Sequence, residues 1–137
     1  MAEIPGPETL MVRAGLLVGE DVMDATEVLA ASYGLNMNGR WGMSPFGGNA
    51  KDAVWDAVNV AQFLDGGQKF SNQQAIFRLA YELPIVSSVV VGTNSPAHLK
   101  QMVEATTLRA NREKIGQYRQ LLRERAGQMK TKTKDEP

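Results

Sequence analysis

Between Leu83 and Ala105 the chain reads LPIVSSVVVGTNSPAHLKQMVEA. Val86, Val89, Val90 and Val91 are β-branched and mark a buried strand. Gly92, Thr93, Asn94 and Ser95 make a small polar turn, and Ser95-Pro96 is a helix start: a hydroxyl cap followed by proline at the first helical position. A strand that feeds a helix this directly points to an α/β domain. It also predicts a phosphate-sized anion site, because free N–H groups and the positive end of the helix dipole converge on the turn.

The remaining elements follow from periodicity and punctuation. Residues 1–8, with two prolines and a glycine, predict an irregular arm, and Thr9 to Ala14 a short buried strand. Asp21 to Tyr33 places Val22, Ala25, Val28 and Leu29 at helical spacing, with Gly34 as the stop. Residues 34–49 hold five glycines and three asparagines and predict a long loop. Ala50 to Leu64 shows the strongest helical pattern, and Ser71 with Gln74 predicts a capping box at the next helix, which Pro84 forces to end near Glu82. After the Pro96–Ala105 helix, Thr107 is expected to cap a last helix to about Arg125, and residues 127–137 read as a disordered tail. The expected fold is helix-rich α/β, with two parallel strands and four to five helices in one domain over residues 9–126.

Composition excludes several functions. The chain has no cysteine and one histidine, His98, so thiolate chemistry and a histidine-based metal cluster within one chain are ruled out. No run approaches the ~20 apolar residues of a membrane span. No charged-then-apolar leader opens the sequence, and a cytoplasmic protein is expected. Lys plus Arg and Asp plus Glu balance at 15 each. The balance conceals an asymmetry: residues 1–106 carry 6 basic and 11 acidic side chains, residues 107–137 carry 9 and 4. Arg109, Arg112, Arg119, Arg123 and Arg125 read as a solvated helix face rather than a nucleic-acid surface, since no recognition motif accompanies them. Leu108, Ile115 and Leu122 recur every seven residues, with Tyr118 between, as a face for the domain itself or for a second chain.

The helix beginning at Ser71 followed by ELPIVSSVVVGTNSPAHLKQMVEA resembles the last barrel strand and following helix of the aldo-keto reductases, and RAGLLVGED looks like the preceding strand and its loop. The resemblance spans residues 9–105 and corresponds to the last quarter of a family member. It implies a partial (β/α)8 barrel and NADP binding at this turn. Carried over, Thr93 matches a phosphate-binding hydroxyl and Ser95-Pro96 the helix start, while Gly92 stands where many members have lysine. His98 replaces an arginine or glutamine, and Gln101-Met102 replaces a Glu-Asn pair that reads adenine. The implied cofactor site is Gly92, Thr93, Asn94, Ser95, His98 and Gln101, with NADP recognition weakened or lost.

The family's catalytic tetrad lies on earlier strands, and its D-x-A-x-x-Y-G pattern is not met here: Asp24 and Tyr33 are nine apart, with Val28 five before Tyr33. The residues available for acid–base work are Tyr33, Asp24, Arg40 and His98. Trp41, Met43 and Phe46 are expected either to line a ligand pocket or to cover the place of missing strands. Two functions follow as expectations. One is a stand-alone domain without its own redox centre that binds a small molecule or a partner. The other is an enzyme: an NADP-linked subunit completed by another chain, or a lyase or cyclase in the old pocket. Either way two strands leave open edges, so a homodimer or larger assembly is expected.

Overall fold

The computed structural model describes residues 4–135. It contains three parallel strands in the order β1-β2-β3: β1 Leu10–Arg13, β2 Arg40–Met43 and β3 Ser88–Val90. Five helices accompany them, α1 Glu20–Ser32, α2 Val54–Ala57, α3 Asn72–Leu79, α4 Pro96–Ala105 and α5 Arg112–Asp135. The fold is therefore α/β as expected, but with three strands instead of two, and the sheet is open.

The additional strand, β2, is central and lies in the segment expected to be a loop. Met11 pairs in register with Trp41, and Trp41 with Ser88. Gly42 explains the disguise. A Cβ there would sit 2.7 Å from the Ala14 Cβ and 3.2 Å from Val86 Cγ2, so close packing beneath the central strand requires glycine. Gly15 has a similar role. Its φ of +123° lets the turn after β1 pass under Pro45, and its N–H donates to Leu83 O at 2.7 Å.

The Ala50–Leu64 helix is broken. Only Val54–Ala57 is α-helical, and a 3₁₀ turn follows at Val60–Phe63. Asn49 and Asp52 side chains accept from the N–H groups of Lys51 and Val54, competing with helix at the start. Val58 is extended between the two pieces. The break serves the core: Trp55 and Val60 are both buried, whereas on a continuous helix they would point about 140° apart.

At α3 the capping box is present, with Gln74 N–H donating to Ser71 Oγ and Ser71 N–H to Gln74 Oε1. This helix ends at Leu79, earlier than Pro84 alone predicts. The cap of α5 is Asn111, which accepts from Lys114 N–H at 3.1 Å, and not Thr107, whose hydroxyl donates back to Glu104 O. Residues 127–135, expected to be disordered, continue α5; 136–137 lie outside the described residues. Residues 4–8 are irregular and exposed. Among the described residues no helix is long and apolar enough to cross a membrane.

Two apolar clusters hold the helices together. The larger joins Met23 of α1, Trp55 of α2, Phe63, the inner face of α3 and Ile115 of α5. The smaller joins Phe77 of α3 to Met102 and Ala105 of α4, against Val89 and Val91. Among the described residues the sheet is covered on one face only. Val12, Gly42 and Val89 face the helices, while Met11, Trp41, Arg13, Met43 and Val90 alternate to the other face and are exposed.

Candidate functional site

Parallel strands end together, and the loops leaving their C-terminal ends line a shared edge where α/β proteins bind ligands. Here that edge carries a hollow of about 330 Å³. Val91, Gly92 and Thr93 come to it from the turn after β3, and His98, Gln101 and Met102 from α4. Phe46 and Ala50-Lys51 come from the loop after β2, and Gln73 from the first turn of α3.

Four of the six residues expected to hold a cofactor therefore meet at one hollow: Gly92, Thr93, His98 and Gln101. Asn94 and Ser95 do not line it. Ser95 works on the backbone instead, its Oγ accepting from His98 N–H at 3.3 Å as the cap of α4. Lys51 and Phe46 add what the expected set lacked, namely a cation and an apolar wall, and Gln73 adds a second amide beside Gln101. Local sequence did not mark Lys51 and Gln73, because they reach the hollow only through tertiary packing. Phe46 was marked as an aromatic in a glycine-rich loop, and it packs against both apolar clusters. Trp41 and Met43, grouped with it in sequence, lie on the open face of the sheet instead.

The anion-binding capacity of the α4 N-terminus is smaller than its sequence predicts. Pro96 has no N–H, His98 N–H is taken by Ser95 Oγ, and Leu99 N–H donates to Ser95 O. Ser95 N–H is taken by Thr93 Oγ1 at 3.1 Å. In the first turn only Ala97 N–H is unpaired among the described residues. The Thr93 hydroxyl accepts that bond and keeps its own proton to donate. An anion here would rest on Lys51, the Thr93 hydroxyl, the Ala97 N–H and the N–H groups of Gly92 and Thr93, which donate to no other group among the described residues.

The groups considered for acid–base work do not converge. His98 lines the hollow, but Tyr33 caps the far end of α1, Arg40 begins β2, and Asp24 is engaged with Arg119 and Arg123 at 3.6 and 3.5 Å. The two buried carboxylates among the described residues are both paired. Glu20 meets Arg119 and Arg123 at 2.8 Å each, and Glu82 meets Arg78 at 3.0 Å and Arg112 at 3.6 Å. Each joins α5 to the body of the domain, a structural task. Lys51, Thr93 and His98 share the hollow, and among the described residues their side chains form no hydrogen bond with one another.

No family model, no curated protein and no solved structure matches this chain.

Proposed function

We propose that this chain is an aldo-keto-reductase-like C-terminal domain that binds a small molecule without carrying a redox tetrad of its own. The observation that carries the reading is the hollow at the C-terminal edge of the sheet, where Thr93, His98 and Gln101 of the family-like stretch meet Lys51 and Phe46. Its chemistry suits a ligand with a flat or apolar part against Phe46 and Met102 and an anionic part toward Lys51 and Thr93. A nucleotide has both. The altered residues at Gly92, His98 and Met102, and the single unpaired amide of α4, make the affinity for NADP weak.

Trp55 is placed to report occupancy. It is buried, and its Nε1 donates to Asn49 O at 3.2 Å, next to the Ala50-Lys51 wall. In a Trp41→Phe background, titration with NADPH and with NADH is expected to change Trp55 emission in the high micromolar to millimolar range. Lys51→Ala should weaken binding about tenfold, the loss of one charge-assisted contact of about 1.4 kcal/mol. Unchanged emission and no heat of binding at millimolar NADPH would remove the nucleotide from the proposal.

The uncovered sheet favours a second reading, in which another chain completes the sheet and supplies the redox groups of an NADP-linked oxidoreductase. That reading requires turnover of NADPH by the assembled pair and none by this chain alone.

A further inference from the structure

Parallel sheets are ordinarily buried on both faces, because helices cover them. Here three kinds of surface are left without a partner. The face bearing Met11, Trp41, Met43 and Val90, with Arg13 at its C-terminal rim, is bare among the described residues, with Trp41 38% exposed. Among the described residues both outer edges, of β1 and of β3, are unpaired. Each edge is flanked by a helix with an outward apolar stripe.

The two stripes are specific. On α1, Met23 and Ala30 face the core, and the sequence-predicted apolar set turns the other way: Val28 is 69% exposed, and Val22, Ala25 and Leu29 are exposed with it. Val22 shares a hollow with Arg13 and Ala14, which places the N-terminal end of the stripe near the C-terminal end of β1. On α4, Met102 and Ala105 pack toward Val89 and Val91 of the β3 segment, and Leu99 and Val103 lie to the side, Val103 61% exposed. The α1 stripe is bordered by carboxylates alone, whereas the α4 stripe carries a cation, Lys100, with Glu104 one turn further on. Asp21 borders the α1 stripe and Lys100 the α4 stripe; both are exposed, and neither forms an ion pair among the described residues.

The geometry points to a second copy of this chain as the cover, joined head to tail: the β1/α1 side of one copy against the β3/α4 side of the other. The joined sheet stays parallel, α1 packs beside α4 of the other copy, and Asp21 faces Lys100. Self-pairing of α1 with α1 brings no cation to Asp21. A head-to-tail contact leaves free ends unless it closes. Two copies related by a twofold along the sheet close it with two identical junctions, and both bare faces then point inward. One arrangement covers both edges, both stripes and the bare face.

Sedimentation of the wild-type chain is expected to give a dimer, twice 15.0 kDa. Leu29→Lys and Val103→Glu each alter an exposed position at opposite sides of the junction. Each alone should retain its far-UV circular dichroism and weaken association at least tenfold. Mixed together, they should restore the dimer, since one junction is then native and the other pairs lysine with glutamate. Association should also bury Trp41 and blue-shift its emission in a Trp55→Phe background. A wild-type monomer across micromolar to millimolar concentration would overturn the proposal, and so would a Val103→Glu variant that dimerises as well as the wild type. Failure of the mixed variants to associate would exclude the head-to-tail junction.

Discussion

The Tyr118 hydroxyl donates to Leu16 O at 2.7 Å, and the ring meets Phe63 edge-on with centroids 5.4 Å apart. Burial, and secondarily the charge of Glu20, raise its pKa above the ordinary 10.0. A phenol that holds its proton more tightly when folded contributes stability that is intact below the unfolded pKa. That contribution is lost as pH rises through the folded pKa. Stability attributable to Tyr118 should therefore be flat through neutral pH and decline above about pH 10. Tyr118→Phe should cost about 1 kcal/mol at pH 7, the net value of one hydrogen bond, and reduce the alkaline decline. Urea denaturation at pH 7 and pH 10.5 would measure both. Next to it, Arg119 donates Nε and Nη2 to Glu20 and Nη1 to Glu27, and these bonds hold its guanidinium pKa above its usual value despite burial. Removing it in Arg119→Ala leaves Glu20, only 3% exposed, with Arg123 alone; a loss of about 3 kcal/mol is expected in the same denaturation series. None of this was legible locally. Glu20 fell just outside the predicted helix, Arg119 read as part of a solvated face, and 99 residues separate them.

At the level of elements, periodicity identified faces but not their direction. The Val22, Ala25, Val28, Leu29 set was legible as one side of a helix, yet it faces away from the core because Met23 and Ala30 fill the inner side. The β3–turn–α4 unit was legible because its signals are local: β-branched residues, a hydroxyl cap and a proline. The same locality made Ser71 readable. Ser71→Ala should lower stability by about 1 kcal/mol, since it frees the Gln74 N–H that the hydroxyl accepts from. The central strand lacked such signals. Its four residues, RWGM, lie among glycines and asparagines, and its strand character comes from pairing on both sides. Gly42→Ala tests that account. With the new methyl 2.7 Å from Ala14 Cβ, overpacking should cost about 1–3 kcal/mol in thermal or urea denaturation. A stability equal to wild type would show that the contact between Gly42 and Ala14 yields without cost.

Across the whole molecule, the charge asymmetry of the sequence becomes a means of assembly. The basic C-terminal region and the acidic body meet at Glu20 with Arg119 and Arg123, and at Glu82 with Arg112. The apolar repeat of the last helix meets the body too: Ile115 is in the core, and Leu108, Tyr118 and Leu122 pack against it. This role was one of two left open by the sequence, because a seven-residue repeat does not say whether its partner is the same chain. Past Ala126 the helix is exposed, and Lys130, Lys132 and Lys134 pair with nothing among the described residues. The two halves of α5 should therefore contribute very differently to stability. A chain ending at Ala126 should unfold within about 0.5 kcal/mol of the full-length protein, since it loses only exposed side chains and helical turns outside the core. A chain ending at Ala110 loses Ile115, Tyr118 and Leu122 from the larger cluster. It also leaves Glu20 buried beside neither of its arginines and Glu82 without Arg112. An unpaired buried carboxylate and an opened core together exceed the few kcal/mol by which small domains are stable. That shorter chain should show no cooperative urea transition, whereas a cooperative transition of wild-type steepness would mean that α5 is an appendage and not part of the core.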